Sequence, residues 1–176
     1  MSYSKAVFLD RDGVLINAPK YKNKPTSIKR IKDIKILKMV QQSLKILRKD
    51  FLLIMVSNQP DVKRKKIKKQ KVIAINKILK KKLGLHDIYV CYHDNSDSCN
   101  CRKPKIGMIL KAQKKWQINL KKSFLIGDRN SDIQLGKKVG CKNFFIDYNY
   151  DEQKPNKNYC TYVKSLNQAV LQIKKL

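Results

Sequence analysis

Two aspartates separated by one residue follow the first apolar segment of the chain, in the string FLDRDGVLI. Asp10 and Asp12 could divide the work of phosphoryl transfer between them. A carboxylate nucleophile stays ionised at neutral pH, and the acyl phosphate that it forms is readily hydrolysed. The second carboxyl group can protonate the leaving oxygen and later accept a proton from water. An isolated D-x-D pair is also common in surface turns, so this interpretation depends on the other motifs.

Further polar residues follow two more apolar segments. Ser57 comes directly after FLLIMV, Asp128 comes directly after FLIG, and Lys103 lies between them in the sequence. The hydroxyl group of Ser57 and the ammonium group of Lys103 could hold the oxygens of a transferring phosphoryl group. Because a negative nucleophile repels a negative phosphate, this chemistry requires a hard divalent cation with oxygen ligands. We predict Mg²⁺, with Asp128 as one of its ligands.

Sulfur and imidazole ligands are clustered in the pattern C-x-H-x5-C-x-C. Cys91, His93, Cys99 and Cys101 lie within eleven residues and can close a tetrahedral Zn²⁺ shell with no open position, which predicts a structural zinc site. The intervening DNSDS is too polar to form a core, so the metal would replace apolar packing there. The alternative is that His93 is a surface residue and that the cysteines are reduced bystanders.

The elements that must position these residues are predicted from apolar patterning. Six short apolar segments bounded by polar residues predict buried strands, at residues 6–9, 51–56, 88–91, 124–126, 144–146 and 161–163. Four intervening stretches carry apolar residues at helical spacing. These residues are Leu37, Val40, Leu44 and Leu47; Val72, Ile75, Leu79 and Leu83; Ile109, Ala112 and Trp116; and Leu166, Val170 and Ile173.

Strands that alternate with helices predict right-handed βαβ units, and therefore an α/β fold in which a mainly parallel sheet lies between two layers of helices. Ligands of such sheets bind at the carboxyl ends of the strands. Asp10, Ser57 and Asp128 each follow a predicted strand, so we expect them to converge along one edge of the sheet. The irregular residues 17–25 are too few for a lid domain, which predicts a fairly open site.

Length and apolar content limit the architecture. The 176 residues predict one domain over residues 1–176. No apolar stretch approaches the ~20 residues that span a bilayer, and the apolar run near the N-terminus is too short for a secretory signal. We therefore expect a cytoplasmic protein with reduced cysteines and no membrane segment, and we expect it to be a monomer.

The chain is strongly basic, with 41 Lys and Arg against 13 Asp and Glu and a formal net charge of +28. Such a charge suggests an anionic partner, such as nucleic acid or an acidic membrane surface. Only six of the basic residues are arginines, however, and an A/T-rich coding bias would fill solvated surfaces with lysine. Aromatic residues do not alternate with lysines in the densest run, residues 63–71, so we favour a solvated surface over a groove for a polyanion.

Taken together, the motifs resemble those of the haloacid dehalogenase superfamily. A strand with D-x-D-G, a strand with Ser-Asn, a lysine, and a strand with G-D-x-x-x-D occur in its order and spacing, and the resemblance covers residues 5–176. The string CYHDNSDSCNCRKPKIGM is similar to one branch of that superfamily, the zinc-containing small-molecule phosphatases, which include heptose bisphosphate and histidinol-phosphate phosphatases. The resemblance implies a Rossmann-like three-layer fold with a minimal cap and a zinc-binding loop at residues 91–101.

The same resemblance implies roles for individual residues. Asp10 would be the nucleophile and Asp12 the acid and base, while Ser57 and Lys103 would stabilise the phosphoryl group. Mg²⁺ would bind Asp10, the main-chain carbonyl of Asp12, and Asp128. The substrate-binding positions would be Asn58, Gln59, Arg64, Arg102 and Arg129.

The implied substrate is a small phosphomonoester. After the second long strand, heptose-type members have SNQSGIARG and histidinol-type members have NQDGLGT, whereas this chain has SNQPDVKRK. Arg64 aligns with the heptose-type arginine, but Pro60 and Asp61 replace Ser-Gly. The string GDRNSDIQLGKKVG and the five-residue gap in the zinc loop are closer to the histidinol type. We expect a sugar phosphate such as D-glycero-D-manno-heptose 1,7-bisphosphate, with histidinol phosphate as the alternative.

Two further classes of function stay open at this point. The charge of +28 would suit a polynucleotide 3′-phosphatase or a nucleic-acid-binding protein, which predicts salt-sensitive duplex binding. Polynucleotide phosphatases of this fold generally lack a C-x-H…C-x-C loop, which argues against that class. A binding module without activity would have lost at least one of Asp10, Asp12, Lys103 and Asp128, and all four are present.

Overall fold

A computed structural model describes residues 4–176, which form a six-stranded parallel sheet, a small hairpin and five α-helices. Residues 1–3 of the predicted domain lie outside the described residues. The strands are β1 (Ala6–Leu9), β2 (Lys20–Tyr21), β3 (Lys24–Pro25), β4 (Leu52–Asn58), β5 (Asp87–Cys91), β6 (Phe124–Gly127), β7 (Lys142–Ile146) and β8 (Thr161–Val163). The helices are α1 (Val40–Leu47), α2 (Lys69–Leu83), α3 (Gly107–Trp116), α4 (Asn130–Val139) and α5 (Leu166–Ile173).

The order of the strands in the large sheet is β5-β4-β1-β6-β7-β8, and every neighbouring pair is parallel. The chain therefore runs outward from β1 in one direction and then returns to build the other half from β6. This is the strand order of a Rossmann-like fold, whose ligands bind where the order reverses. Asp10 follows β1 and Asp128 follows β6, so these two residues lie on either side of that reversal.

The sheet lies between two helical layers because side chains alternate along its strands. On β1, Val7 and Leu9 belong to the apolar cluster that contains the buried faces of α1, α2 and α5. Ala6 and Phe8 belong to the opposite cluster, which contains the buried residues of α3 together with Leu135 of α4. The predicted three-layer fold is confirmed. No helix among residues 4–176 has both the length and the apolar content that a membrane-crossing helix needs.

The predicted strands match the observed ones closely, with one difference that matters for the site. β4 continues to Asn58, two residues beyond its predicted end, so that Ser57 and Asn58 lie in the strand itself. The pairing of Ser57 with Val90 and of Asn58 with Cys91 explains this extension, because a neighbouring strand supplies hydrogen bonds that the apolar pattern does not encode.

Two helices differ from the apolar pattern. Helix α4 carries no regular apolar stripe, since its buried residues Ile133 and Leu135 are only two positions apart and Gly136 packs directly against Asn143. Helix α1 begins at Val40, because Met39 adopts a left-handed backbone with φ 64°. Leu37 therefore lies before the helix that the pattern assigned to it.

Residues 17–25 were expected to be irregular, but they contain the antiparallel hairpin β2–β3. Its turn residues Lys22 and Asn23 both have positive φ, 48° and 53°, as a two-residue hairpin turn requires. The Asn23 side chain donates to the carbonyl of Asn149 at 3.0 Å, and the amide of Asp151 donates to the Asn23 carbonyl at 3.2 Å. The hairpin is thus joined to the segment that follows β7, and it forms a small cap.

Candidate active site

Asp10 lies at the carboxyl end of β1, where its main-chain amide donates to the carbonyl of Ile126 at 3.1 Å and extends the pairing with β6. Its Oδ1 atom accepts a hydrogen bond of 2.7 Å from the amide of Arg11 and lies 2.9 Å from Nζ of Lys103. The Asp10 side chain is only 9% exposed. This carboxylate is therefore fixed through one oxygen at the floor of a small pocket, which Asp12 and Asn58 also line.

Lys103 is the buried cation of the site. Its Nζ atom donates to the carbonyl of Val56 at 3.1 Å and forms ion pairs with Asp10 at 2.9 Å and with Asp132 at 2.7 Å. Burial alone would lower the pKa of Lys103, but the two carboxylates raise it above its usual value, so the side chain stays protonated. Its main chain is held by reciprocal hydrogen bonds of 3.0 and 3.2 Å with the side-chain amide of Asn58.

Asp128, just beyond β6, carries a buried carboxylate without donors. Neither of its side-chain oxygens receives a hydrogen bond from residues 4–176. Burial, together with the nearby charges of Asp10 and Asp132, raises the pKa of Asp128 well above its usual value, against the opposing effects of the nearby Tyr150 hydroxyl group and of Lys103. The main chain at Gly13 approaches this carboxylate so closely that a Cβ atom there would lie 2.0 Å from Oδ2, and its φ of +84° also favours glycine.

Three carboxylates come together at this point. One oxygen from each of Asp10, Asp128 and Asp132 lies within 4.8 Å of the others, and all three residues are buried. Burial raises the pKa of Asp132 to about 6, against the opposing effect of Lys103. Oxygen ligands on buried carboxylates suit Mg²⁺, and a cation would supply the partner that Asp128 lacks. The donor set therefore fits the predicted magnesium ion.

Asp132 was not among the predicted site residues. It lies in the first turn of α4, four residues after Asp128, and its Oδ2 atom accepts a hydrogen bond of 3.2 Å from the amide of Arg129. The signal in the sequence was the G-D-x-x-x-D spacing, which places Asp128 at the end of a strand and Asp132 one turn into the next helix. The spacing was recognised as a motif, but the contact with Lys103 depends on the fold.

The polar residues at the end of β4 form a buried chain behind the pocket. The side-chain amide of Gln59 donates to Oγ of Ser57 and to Oδ2 of Asp12, both at 2.9 Å. Ser57 and Gln59 are each 1% exposed, and only Asn58 of this segment lines the pocket. Gln59 was predicted to bind substrate and Ser57 to hold the phosphoryl group, but neither residue lines the pocket or the cleft, and the Gln59 amide is engaged by Asp12 and Ser57.

A larger cleft adjoins the pocket and shares with it the residues Pro25, Thr26, Ser27, Asn58 and Arg129. It has a volume of about 540 Å³. The hairpin forms one wall and the zinc loop contributes to another. The charged residues that line the cleft are Lys24, Lys29, Asp61, Arg64, Lys66, Arg102, Arg129 and Glu152.

All three predicted substrate-binding arginines line this cleft, and each is held by a protein partner. Arg64 forms a two-pronged ion pair of 2.5 and 2.6 Å with Asp94, whose pKa it lowers to about 2, and it lies 3.9 Å from Asp61. Arg129 is paired in the same way with Glu152. Arg102 donates to the side chain of Asn95 at 2.7 Å and to the carbonyl of His93 at 3.1 Å.

The four predicted zinc ligands converge at the end of β5. The Sγ atom of Cys91 lies 3.1 Å from that of Cys101 and 3.9 Å from that of Cys99. Nδ1 of His93 lies 3.5 Å from the Cys91 sulfur and 3.3 Å from the Cys101 sulfur. Zn–S bonds of about 2.3 Å in a tetrahedron place the sulfurs ~3.8 Å apart, so this arrangement suits a zinc ion with little adjustment.

Comparisons with known proteins identify the family. The family model described as polynucleotide kinase 3 phosphatase matches residues 5–165. The chain is 36% identical over 149 residues to the D-glycero-beta-D-manno-heptose-1,7-bisphosphate 7-phosphatase of Helicobacter pylori, covering 81% of this chain and 83% of the relative. It is also 34% identical over 143 residues to the histidine biosynthesis bifunctional protein HisB of Campylobacter jejuni, covering 78% of this chain and 40% of that protein.

A solved structure agrees with this assignment. The D,D-heptose 1,7-bisphosphate phosphatase of B. bronchiseptica, crystallised with magnesium and phosphate, matches with a TM-score of 0.83 and 21% sequence identity, over 97% of this chain and 98% of that one. At this identity the match supports the fold. The chain belongs to the polynucleotide kinase 3 phosphatase family within the haloacid dehalogenase superfamily, and it is a phosphatase.

Proposed function

We propose that this phosphatase hydrolyses a small sugar phosphate, such as D-glycero-D-manno-heptose 1,7-bisphosphate, with Mg²⁺ and through a phospho-aspartate intermediate on Asp10. The observation that carries the proposal is the buried carboxylate of Asp128, which lacks donors and lies beside Asp10 at the reversal of strand order. Such a carboxylate is costly unless a cation binds to it. A bound cation would also reduce the repulsion between Asp10 and an incoming phosphate.

In the first step, a carboxylate oxygen of Asp10 bonds to phosphorus while the bond between phosphorus and the ester oxygen breaks. Lys103 and the Arg11 amide hold Oδ1 of Asp10, whereas Oδ2 accepts no hydrogen bond from residues 4–176 and is the atom that we assign to attack. Asp12 gives a proton to the leaving oxygen. In the second step, water attacks phosphorus and gives a proton to Asp12, while the bond between phosphorus and the Asp10 oxygen breaks, which releases phosphate and restores the Asp10 carboxylate.

The proposed magnesium ligands are Asp10, Asp128 and the main-chain carbonyl of Asp12. When bound there, Mg²⁺ would offset the negative charge of the phosphoryl group. The ammonium group of Lys103 donates to the carbonyl of Val56 and lies 2.9 Å from Asp10 and 2.7 Å from Asp132, so it already has three partners. We therefore assign Lys103 the role of fixing Asp10 and balancing the charge of Asp132, and a phosphoryl oxygen would have to replace one of these contacts.

The cleft beyond the pocket supports a polar substrate of modest size. Its volume of about 540 Å³ suits a sugar phosphate, and its walls offer both cations and carboxylates to hydroxyl and phosphate groups. Sugar bisphosphate phosphatases are also among the relatives. Arg64 and Arg102 are the cleft arginines that we propose for a distal group of the substrate, since both lie on loops that border the pocket.

Histidinol phosphate is the second candidate substrate. The carboxylates of Asp61 and Glu152 in the cleft favour it, because a carboxylate can bind the ammonium group that this substrate carries and a sugar bisphosphate lacks. A polynucleotide 3′-end is the third candidate. The description of the matching family and the net charge of +28 favour it, but the lysines occur throughout the chain rather than in one segment.

We also propose a structural zinc ion on Cys91, His93, Cys99 and Cys101. Burial raises the pKa of the Cys91 thiol to about 12, so a cation is needed to hold this group as a thiolate. All five cysteines of the chain are free thiols, which supports a site that requires reduced sulfur and, with it, a cytoplasmic enzyme.

A panel of substrates tests this proposal. Phosphate release is measured as kcat/KM for heptose bisphosphates, other sugar phosphates, histidinol phosphate and 3′-phosphorylated oligonucleotides, with Mg²⁺ and with a chelator. We expect a sugar phosphate to rank first and the chelator to abolish turnover. Asp10→Asn should reduce turnover at least ~10³-fold, since it removes the nucleophile. The matched control is Asp33→Asn, a partly exposed aspartate that pairs with Arg30 and lines neither the pocket nor the cleft. Unchanged turnover in Asp10→Asn would refute the assigned chemistry, and a higher rank for oligonucleotides would select the third candidate.

A further inference from the structure

Arg11 is the largest fully buried side chain among residues 4–176, and none of its surface is exposed. It lies between the two aspartates of the D-x-D motif in sequence, and its main-chain amide, not its side chain, contacts Asp10. Its guanidinium group makes hydrogen bonds on two sides. A charged side chain that is buried so completely requires a specific set of acceptors, and these acceptors indicate what it does.

On one side the guanidinium group donates hydrogen bonds to the carboxylate of Asp12. Nη2 donates to Oδ2 at 2.9 Å and to Oδ1 at 3.2 Å, and Nε donates to Oδ2 at 3.2 Å. This two-pronged contact fixes the plane of the carboxylate as well as its distance, which a point charge such as lysine cannot do. The Asp12 side chain keeps 13% of its surface exposed and borders the pocket.

On the other side, Nη1 donates to Oδ1 of Asn76 at 3.1 Å. Asn76 is a buried residue of α2, the helix that packs against the sheet beside β4 and β5. The guanidinium group is thus held between a helix and the carboxylate. The remaining donors to Asp12 are Gln59 at 2.9 Å and Ser27 at 3.2 Å, and each makes only one bond. Arg11 is therefore the main determinant of the orientation of Asp12.

We propose that Arg11 is a positioning residue that holds the Asp12 carboxyl group where it can transfer a proton to the leaving oxygen of the substrate. This inference rests on the proposed function. In the step concerned, the bond from Asp10 to phosphorus forms, the bond from phosphorus to the ester oxygen breaks, and the proton of Asp12 moves to that oxygen. An Asp12 that is not held at the correct angle loses this transfer, while the nucleophile is unaffected.

The test compares two substrates that differ in their need for a proton. An alkyl phosphate, such as a sugar phosphate, leaves as a basic alkoxide unless it is protonated. p-Nitrophenyl phosphate leaves as a stable phenolate and needs no proton. The quantity measured is kcat/KM, because it covers the steps up to release of the leaving group and excludes hydrolysis of the intermediate. We expect Arg11→Met to lower kcat/KM about 10²-fold for the alkyl phosphate and less than ~3-fold for p-nitrophenyl phosphate.

Three variants make this comparison decisive. Arg11→Lys keeps the charge but loses the fork, so its selective loss should be about 10-fold. Asn76→Ala removes only the anchor on α2, and alanine is compatible with the helix. This variant should give a smaller loss of kcat/KM with the same selectivity between the two substrates. Arg30→Met is the matched control, since Arg30 forms a similar two-pronged pair with Asp33 on the surface. It should leave both substrates unaffected.

An equal loss for both substrates in Arg11→Lys and Asn76→Ala would overturn the proposal, because a purely structural arginine acts on every substrate alike. No loss for either substrate would overturn it as well. If Arg11→Met does not fold, the other two variants decide the question. Failure of the proposed function has a different signature, since wild-type protein would then release phosphate from neither substrate.

Discussion

The two clusters of metal-ligating side chains differ in how the chain assembles them. Cys91, His93, Cys99 and Cys101 lie within eleven residues on a loop, and two of the cysteines and the histidine are at least partly exposed. The carboxylate cluster joins the ends of β1 and β6 with the start of α4, across more than a hundred residues, and it is buried. The first cluster would gain order from the proposed zinc ion, whereas the second depends on the whole fold, which holds its charges against their own repulsion.

This difference predicts opposite responses to loss of a ligand. The residues between the proposed zinc ligands are mostly polar, so the free energy of metal binding would contribute directly to the free energy of folding there. The carboxylate cluster gains nothing in stability from its unpaired charge, because a buried carboxylate without donors destabilises the protein that holds it. The zinc site should therefore stabilise the protein, and the magnesium site should stabilise it only when the ion is bound.

The largest effect on stability is expected at the zinc loop. Cys99→Ser should lower the zinc content from one ion per chain to well below one. The free energy of unfolding should fall by about 3 kcal/mol or more, which lowers Tm by ~6–12 °C in a chain of this length. Metal analysis and thermal unfolding measure the two quantities. Cys160→Ser is the matched control, since this half-buried thiol lies outside the cluster. Wild-type protein without zinc, combined with an unchanged Tm in Cys99→Ser, would contradict the zinc assignment.

Loss of zinc should also impair catalysis, because the loop carries residues of the pocket. Lys103 follows the last zinc ligand by two residues, and Asp94 on the same loop holds Arg64. The hydrogen bonds between Asn58 and Lys103 fasten the loop to β4 on its far side. A zinc ion at the proposed site and β4 would thus hold the segment from two ends, which gives a structural ion beside the pocket a role in positioning Lys103.

A smaller effect of opposite sign is expected at the carboxylate cluster. In the presence of a chelator, Asp128→Asn should raise the free energy of unfolding at pH 7 by about 1–3 kcal/mol, since it removes a buried charge. The pKa of Asp128 is raised in the folded state, so the folded protein binds more protons than the unfolded chain above pH ~4 and stability falls as pH rises. The difference in the free energy of unfolding between Asp128→Asn and the wild type should therefore increase as the pH is raised from 4 to 7. Thermal unfolding at several pH values measures it.

Asp87→Asn is the matched control for that experiment. Burial alone would raise the pKa of Asp87, but hydrogen bonds from Lys115 and Trp116 lower it to about 2. Its contribution to stability is present at pH 7 and is lost as pH falls toward 2, so the same substitution should destabilise the protein there. Mg²⁺ should raise the Tm of the wild type and of Asp87→Asn but not that of Asp128→Asn. If Asp128→Asn were destabilising at pH 7 without metal, the buried charge of Asp128 would not be destabilising the folded protein, and this prediction would be wrong.

The two clusters also differ in how far the sequence predicts them. The zinc ligands are close in the chain, so their spacing alone brings them together. Asp10 and Asp128 were predicted because each follows an apolar strand and such strand ends share an edge of the sheet. Asp132 was not predicted to be a site residue, since its contact with Lys103 depends on how α4 packs at the site.

The partners of the cleft arginines could not be predicted from the sequence for the same reason. Arg64 is paired with Asp94, thirty residues later, and Arg129 with Glu152, on the segment after β7. Nothing in the local pattern links these residues, because the pairs form only when the loops meet above the sheet. The buried position of Gln59 could not be predicted either, because the alternation of side chains along β4 ends at Asn58, one residue before Gln59.

The smallest effect concerns the cleft, where Asp61 departs from the heptose-type pattern. Asp61 lies 3.9 Å from Arg64 and adds a second carboxylate to the one that Asp94 supplies. Exposed ion pairs at this distance contribute little, so Asp61→Asn should leave kcat unchanged and lower KM for a sugar bisphosphate only about 2-fold, by freeing part of the charge of Arg64. Asp33→Asn is the control, because it removes a carboxylate that pairs with Arg30 and lines neither the pocket nor the cleft. Steady-state kinetics with a bisphosphate and a monophosphate separate the effects. If KM for the bisphosphate rose, Asp61 would be holding Arg64 in place for the substrate rather than competing for it.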